Sequence, residues 1–220
     1  MPSIGPVAVI GLGTFGATIA LDLAAFGHHV IGVDIDERRV NDLSDALAQA
    51  VIADARDERA LREVGVDQCD AAVIAVGEDL EANIVGAMNV RTLGVPQVWS
   101  KSRSQTHRRI LSAIGVQHVV NPERDMGHRV AQTIHNPFVT DYMVAGDGQS
   151  VVSFTAPERL IGRPFDRADW FARYAVHPLG LLRDGTPIPL AGGPAIEPGD
   201  VLLLLGARTD LQRFAEKQCA

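Results

Sequence analysis

Three glycines near the start of the chain have the spacing of a phosphate-binding turn. Gly11, Gly13 and Gly16 follow the short apolar run Val7–Ile10 and precede a helical pattern of apolar residues. In a dinucleotide-type fold the first glycine permits a tight turn, the second lets backbone approach a pyrophosphate, and the third lets helix pack on strand. The N–H groups that begin the helix then face the anion. These residues therefore predict nucleotide binding.

An acidic residue at the end of the second predicted strand supports the same site. Asp34 lies close to the spacing of roughly 20 residues after the last glycine that a ribose-binding carboxylate has. The alternative is that Asp34 only caps the helix expected near Glu37. A carboxylate here would repel a 2′-phosphate, and the nearby cations Arg38 and Arg39 are expected inside the next helix. The sequence thus favours a nucleotide without a 2′-phosphate.

Residues that end the other predicted strands complete the candidate site, because ligands of a doubly wound sheet lie beyond the carboxyl ends of its strands. Asp54 and Ala55 end the third strand and could line a base pocket, although Asp54 or Asp57 could instead cap a helix. Gly77 follows the fourth strand, where backbone could approach the phosphates. Lys101 ends the fifth strand, where a cation could meet phosphate charge. A turn glycine and a solvated lysine are the simpler alternatives.

The order of the predicted elements indicates the fold class. Short apolar strands are predicted at 7–10, 30–33, 50–53, 71–75, 97–100 and 118–120, with helices between them that include 38–47, 80–93 and 105–114. Continuous apolar strands are typical of a parallel sheet covered on both faces. With right-handed crossovers they predict an α/β fold with a doubly wound parallel Rossmann-type sheet. Gly65, Gly94 and Gly115 each follow a helical stretch, as helix-ending glycines do.

The pattern changes after Arg129. The helix that begins near Glu123 is expected to continue until Asn136 and Pro137 break it. Beyond it, short strands are predicted at 150–154, 176–182 and 201–206, and a final helix at 209–217. We therefore place a Rossmann-type domain at 1–136 and a small α+β C-terminal domain at 137–220.

Composition narrows the class of protein. The 220 residues are 46% hydrophobic and 21% charged, as in a soluble globular protein of one or two domains. A net charge of −7 argues against nucleic-acid binding. Cys69 and Cys219 suggest no disulfide framework and fit a reducing cytosol. No apolar run reaches the roughly 20 residues of a membrane span, so a cytoplasmic protein without direct membrane insertion is predicted.

Catalytic machinery is not evident in the sequence. Neither Tyr142 nor Tyr174 is followed four residues later by a lysine, and the histidines lack metal-ligand spacing with cysteine. No serine occupies a nucleophile elbow. A nucleotide site without catalytic groups predicts a sensor and not an enzyme.

Several motifs together resemble the KtrA/TrkA family, the RCK-domain regulatory subunits of Ktr/Trk potassium uptake systems. They are GLGTFG, VDIDERRV, VIADARDE, AAVIAVGEDLEANI, VWSKS, NPERDMGHRVAQTI and AIEPGDVLLLLG. The resemblance covers essentially the whole chain. It implies an RCK N-terminal domain, a crossover helix and an RCK C-terminal domain. It further implies homodimers that assemble into an octameric ring and gate a membrane potassium-translocating subunit in response to ATP or ADP, from the inner face of the cell membrane.

The resemblance also implies roles for individual residues. The residues implied to surround the phosphates are Gly11, Leu12, Gly13, Phe15, Gly16, Ala75, Gly77 and Lys101. Asp34 is implied to bind the ribose, and Asp54 and Ala55 to lie near the base. Glu123 matches a carboxylate that helps to hold Mg²⁺ or another cation between adjacent nucleotides. The alternative for Glu123 is an acid in the first turn of a helix.

Two positions depart from the family pattern. Thr14, which we also place in the nucleotide site, stands where several relatives have an arginine that reaches the terminal phosphate. A hydroxyl cannot supply that charge, so strong discrimination of ATP from ADP is not predicted. Phe171 stands where relatives that bind cyclic di-AMP have an arginine, so that ligand is not predicted either.

The implied dimer surface uses apolar faces around Ile110, Ile114, Val130 and Ile134.

Three alternatives stay open at this point. An NAD-dependent oxidoreductase would share the glycine turn and Asp34 but would need catalytic groups. An NAD(H)-binding redox sensor would have the same fold, because Asp34 could bind the ribose of either ligand. A ring that serves a cation/proton antiporter or another channel would differ only in its membrane partner.

Overall fold

The structure, a computed structural model, describes residues 5–135, 138–146 and 148–219, and the side chains of Arg167 and Cys219 lie outside that description. The chain divides into two compact units between Glu123 and Arg124. The predicted helix break at Asn136 and Pro137, and with it the boundary between 136 and 137, falls outside the described residues, so the domain limits stay a prediction.

The first unit contains a six-stranded parallel sheet in the order β3–β2–β1–β4–β5–β6. Its strands are β1 (Val7–Ile10), β2 (Val30–Asp34), β3 (Gln49–Ile52), β4 (Ala71–Ile74), β5 (Gln97–Lys101) and β6 (His118–Val120). The order reverses between β1 and β4, as it does in the Rossmann fold. The predicted fold class is therefore confirmed, with strand limits within one residue of those expected.

Five helices connect these strands and cover both faces of the sheet. They are α1 (Thr14–Ala25), α2 (Glu37–Leu43), α3 (Glu58–Glu63), α4 (Leu80–Thr92) and α5 (Gln105–Ala113). One apolar core includes Ile10, Ile74 and Leu111, and a second, on the opposite face, includes Val9 and Val73. Adjacent residues of β1 and β4 thus enter different cores, which explains the unbroken apolar sequence of these strands.

Helix ends follow local chemistry, with one correction. Gly65, Gly94 and Gly115 all have positive φ angles after helical segments, as predicted. Helix α2 ends at Leu43 and not at the expected residue 47. Ser44 donates both its N–H and its hydroxyl to the carbonyl oxygen of Asn41, which closes the helix in a tight turn.

The second unit contains an antiparallel sheet in the order β10–β9–β11–β8–β7. Helix α6 (Pro122–His135) begins with the last residues of the first unit. The elements after it are β7 (Val139–Gly146), β8 (Gln149–Thr155), α7 (Arg167–Tyr174), β9 (His177–Arg183), β10 (Thr186–Pro187), β11 (Val201–Ala207) and α8 (Arg208–Cys219). Strands β8 and β11 alternate buried and partly exposed residues, as in a sheet with one covered face. This confirms the predicted α+β character, although β7, β10 and α7 were not predicted.

The implied dimer surface is only partly exposed. Ile110, Val130 and Ile134 are exposed, and Ile134 keeps 77% of its surface accessible. Ile114 instead packs against the core of the first unit. Ile114 is partly exposed, and its role in a dimer surface stays a prediction. Within the described part of the chain, every helix is too short or too polar to cross a membrane.

A buried ion pair ties the turn before β11 to strand β9. The carboxylate of Asp200, which is fully buried, accepts hydrogen bonds from Arg183 Nε at 2.9 Å and Nη2 at 3.0 Å. It also accepts the N–H of Glu197 at 2.8 Å. The hydrogen bonds from Arg183 hold the pKa of Asp200 below its ordinary value. Asp200 is consequently charged in the folded state at neutral pH.

We expect Asp200→Ala to lower the free energy of unfolding of the second unit by about 2–3 kcal/mol, because Arg183 and the Glu197 N–H lose a buried acceptor. Since folding lowers this pKa, the stabilisation is present above the unfolded pKa of about 3.9 and is lost as pH falls through the folded value. Urea unfolding at pH 7 and pH 3 measures both effects. Trp170, buried in this unit, is the reporter in a Trp99→Phe background.

The control is Asp169→Ala, which removes an exposed ion pair with Arg173 in the same unit. Exposed pairs contribute little, so a change below about 1 kcal/mol is expected. Equal losses of unfolding free energy in the two variants would contradict the role given to Asp200. So would an Asp200→Ala protein whose unfolding free energy differs from that of wild type as much at pH 3 as at pH 7.

Candidate nucleotide-binding site

A cavity of about 490 Å³ lies at the carboxyl ends of strands β1 to β5. Parallel strands bring these ends to one edge of the sheet, where the order of strands reverses. The predicted site residues that line the cavity are Gly11, Gly13, Thr14, Phe15, Asp34, Asp54, Ala55, Ala75, Gly77, Lys101 and Glu123. Leu12 and Gly16 do not line it. Contact of these residues with a nucleotide stays a prediction.

The three glycines have different structural roles. Gly11 has φ +97°, and a Cβ atom there would lie 2.7 Å from the backbone nitrogen of Val76. At Gly16 a Cβ atom would lie 1.8 Å from the carbonyl oxygen of Gly11, so only hydrogen fits between helix and turn. At Gly13, by contrast, no atom lies within 4 Å of the Cβ position. Gly13 thus leaves open space at the cavity, while Gly11 and Gly16 permit close backbone packing.

Asp34 holds the glycine turn against the second strand. Its carboxylate is buried and accepts the N–H of Leu12 at 2.6 Å and the N–H of Asp36 at 2.8 Å. The cap of α2 is Asp36, whose side chain accepts the N–H of Arg38. The alternative interpretation of Asp34 as a helix cap is therefore wrong. The second member of the turn, Leu12, contributes its N–H to Asp34 and its side chain to the core.

Arg39 and Arg56 line the cavity, although neither was predicted to belong to the site. Arg39 Nη1 lies 3.4 Å from Asp34 Oδ2, although Arg39 belongs to helix α2 as predicted. It lies in the first turn of that helix, which starts beside the end of β2. Arg56 donates Nε and Nη2 hydrogen bonds to Asp54 and approaches Asp79 at 3.6 Å. The sequence signal that could have placed Arg56 near the site is its position two residues after Asp54, a predicted site residue.

Asp54 is a partner of Arg56 and does not cap a helix. The side chain of Asp57 caps α3 instead, accepting the N–H groups of Arg59 and Ala60. The hydrogen bond from the Arg56 side chain is the main cause that lowers the pKa of Asp54, and the hydrogen bond from the Arg56 backbone N–H lowers it further. The part of the cavity beside the end of β3 therefore carries an ionised carboxylate at neutral pH.

Lys101 is held inside the cavity and is not a solvated lysine at a strand end. Its side chain is 14% exposed, forms an ion pair with Glu123, and places Nζ 5.8 Å from the centre of the Phe15 ring. Nζ also lies 3.3 Å from the Cβ position of Gly77. The simpler interpretation of Lys101 is thus wrong, and a cation stands between the glycine turn and the loop after β4.

Glu123 occupies the first turn of α6, as the alternative interpretation had it, and it also lines the cavity. Its side chain is 65% exposed, and the hydrogen bond from Lys101 is the main cause of its lowered pKa. Among the residues that the structure describes, no group of three or more histidine, cysteine or acidic side chains could hold a metal ion. A cation at Glu123 would therefore need ligand atoms from elsewhere.

The fold and the cavity define a Rossmann-type nucleotide-binding domain joined to a small antiparallel-sheet unit. Residues 7–122 match the family model of the TrkA-N domain. Ktr system potassium uptake protein C of Bacillus subtilis (strain 168) is 36% identical over 212 residues, which are 96% of each chain. Ktr system potassium uptake protein A of the same organism is 32% identical over 209 residues, 94% of each. The chain belongs to the KtrA/TrkA family, which confirms the resemblance found in the sequence.

Solved structures share the fold at low sequence identity. The GsuK channel bound to NAD is 15% identical, with a TM-score of 0.69 that covers 100% of this chain and 40% of the channel. GsuK bound to ADP is 17% identical, with a TM-score of 0.50 over 57% of this chain and 33% of that one. The chain therefore spans about two fifths of the first structure, and identities this low show the fold alone.

Alanine substitutions at Gly13 and Gly16 should destabilise the fold to very different extents. Gly16→Ala forces the turn away from α1 and is expected to cost about 3 kcal/mol or more, because the obstacle is backbone. Gly13→Ala meets no atom, has a φ of −66° that alanine accepts, and should cost about 1 kcal/mol or less. Thermal unfolding of the two variants measures the difference. A Gly16→Ala protein as stable as Gly13→Ala would show that the turn and α1 are not in close contact.

Proposed function

We propose that this protein is the cytoplasmic, nucleotide-sensing regulatory subunit of a potassium uptake system. It binds ATP or ADP in the cavity at the strand ends and controls a membrane potassium-translocating subunit. The observation that carries the proposal is the shared location of the glycine turn, Asp34 and Lys101 around one cavity in a chain of the KtrA/TrkA family. The relatives are potassium uptake proteins, which supports a regulatory role and not catalysis.

The proposed orientation of the nucleotide follows from the charges. Gly13 precedes α1, a helix of 12 residues, and brings no side chain that would occupy the N–H groups of its first turn. Those groups are suited to bind phosphate. Lys101, at the end of β5, and Gly77, in the loop after β4, would face the same anion. The ribose hydroxyls then lie at Asp34 and the base near Asp54 and Ala55.

Phosphate binding would compete with the ion pair between Lys101 and Glu123. A phosphate carries more charge than a carboxylate and can take over the ammonium group of Lys101. Glu123, released at the cavity edge, could then share Mg²⁺ or another cation with phosphate oxygens, which supply the ligands that the chain lacks. This exchange offers a route from the nucleotide to the start of α6.

The proposed assembly is a homodimer that builds an octameric ring on the membrane subunit. Exposed Val130 and Ile134 on α6, and Ile110 on α5, are available for contacts between copies. Nucleotides can change the gate only if they bind the two ring states with different affinity. Co-purification with a membrane partner distinguishes a potassium uptake subunit from an antiporter or another channel.

A redox sensor that binds NAD(H) is the second candidate. The observation in its favour is the fold shared with GsuK bound to NAD over the full length of this chain. Asp34 could bind the adenosine ribose of NAD as well as that of ADP. The two candidates differ in ligand preference, which a single binding series resolves.

We expect ATP and ADP to raise the Tm of the protein by similar amounts, because Thr14 does not supply a charge for the terminal phosphate. At a free concentration of 100 times the Kd, a ligand adds about 2.7 kcal/mol to the free energy of unfolding. For a chain of this size, that raises Tm by about 5–10 °C. Thermal unfolding with ATP, ADP, NAD, NADH and cyclic di-AMP, each with and without Mg²⁺, provides the ranking. A rise with NADH alone would replace the proposal with the redox sensor, and no rise with any nucleotide would end both.

Glu123→Gln should abolish the additional stabilisation that Mg²⁺ gives to the nucleotide-bound protein, because the amide cannot serve as an anionic ligand. Nucleotide affinity without Mg²⁺ should be retained or increased, since Lys101 loses its competitor. The control is Asp125→Asn, an exposed acid in the same helical turn that does not line the cavity. An Mg²⁺ response of Glu123→Gln equal to that of wild type would remove Glu123 from the cation site.

A further inference from the structure

A buried polar side chain links the loop after β4 to the end of β5 and does not itself line the cavity. Asn83 of helix α4 has no exposed surface. Its Nδ2 donates to the carbonyl oxygens of Val76 at 2.7 Å and of Lys101 at 3.2 Å. Because both carbonyl oxygens can only accept, the orientation of the Asn83 amide is fixed. Its Oδ1 must then face donors.

The donors to Asn83 are Ser100 and a buried histidine. Ser100 Oγ lies 3.1 Å from Asn83 Oδ1, and His107 Nε2 lies at the same distance. His107 is 2% exposed, and its Nδ1 accepts the N–H of Arg103 at 3.3 Å. These partners assign the proton of a neutral imidazole to Nε2. Burial, with Arg103 as the second cause, lowers the pKa of His107, which agrees with the neutral form.

The backbone groups held by this network belong to the phosphate side of the proposed site. Val76 and Lys101 line the cavity and stand at the ends of neighbouring strands β4 and β5. Arg103 adds a second link between the same loops, because its Nη1 donates to the carbonyl oxygen of Glu78 at 3.1 Å. The positions of Gly77 and of the Lys101 side chain therefore depend on hydrogen bonds made behind the cavity wall.

Apolar side chains could fill this space and keep the fold stable. Buried polar groups stabilise a fold only when every hydrogen bond is made. Hydrogen bonds have direction, however, and fix two carbonyl groups relative to each other more narrowly than apolar packing does. We propose that the Asn83–His107 pair positions the loop after β4 and the end of β5 for phosphate binding, and so sets nucleotide affinity without touching the ligand. This inference rests on the proposed nucleotide site.

The test compares ADP and AMP affinity of His107→Leu, Asn83→Leu and the double variant by calorimetry. Each single variant should weaken ADP binding about tenfold, the effect of one or two lost positioning hydrogen bonds. AMP binding should fall less, because AMP makes fewer phosphate contacts. The double variant should be only slightly weaker than either single one, since both act through the same loops.

Three further variants separate positioning from general loosening of the fold. Leu111→Ala, one turn further along α5 and fully buried, should lower Tm at least as much as His107→Leu yet leave the ADP-to-AMP affinity ratio unchanged. His107→Gln keeps an N–H donor at the place of Nε2 and should restore most of the affinity, whereas His107→Asn, whose amide reaches only the place of Nδ1, should not.

The outcomes separate this inference from the proposed function. Unchanged ADP affinity in folded His107→Leu and Asn83→Leu would overturn the positioning role while leaving the nucleotide site intact. Equal loss in Leu111→Ala, or additive losses in the double variant, would also overturn it. Absence of ADP binding by the wild-type protein would instead remove the proposed function on which the inference rests.

Discussion

The contact between Gly16 and the carbonyl oxygen of Gly11 is the constraint on which the candidate site depends. It leaves no room for a side chain, so α1 must begin directly against the turn that follows β1. The same turn packs Gly11 against the backbone of Val76 after β4 and bonds Leu12 to Asp34 at the end of β2. One short loop is thus fixed to three strand ends, and the N-terminus of α1, where an anion would bind, is fixed with it.

The cavity holds its positive charges in ion pairs. Arg39 approaches Asp34, Arg56 is bound by Asp54, and Lys101 is bound by Glu123. A nucleotide bound as proposed would therefore exchange partners with groups that are already paired and would not neutralise isolated charges. Such exchange would favour ligands whose charge exceeds that of a carboxylate, and it would change the contacts of the displaced acids. For Glu123 that change would occur in the first turn of α6, so this pair would connect the ligand to the helix.

The two units use different packing rules. Strands β1 and β4 are buried on both faces between helices and consist of apolar residues throughout. Strands β8 and β11 alternate because one face of their sheet is more exposed. The second unit also depends on the buried Asp200, whose charge is compensated by Arg183. Because the pKa of Asp200 is lowered, the stability of the second unit is expected to fall in acid, through a group that is remote in sequence from the glycine turn.

The sequence by itself determined the features that arise from neighbours along the chain: the glycine turn, the strand and helix order, the helix-ending glycines and the acid after β2. It could not place Arg39 and Arg56 in the cavity, pair Lys101 with Glu123, or join Asn83 to His107. It also missed β7, which begins shortly after the predicted end of α6. These features were decided by tertiary structure, because sheet order and helix rotation bring together side chains that no local periodicity relates.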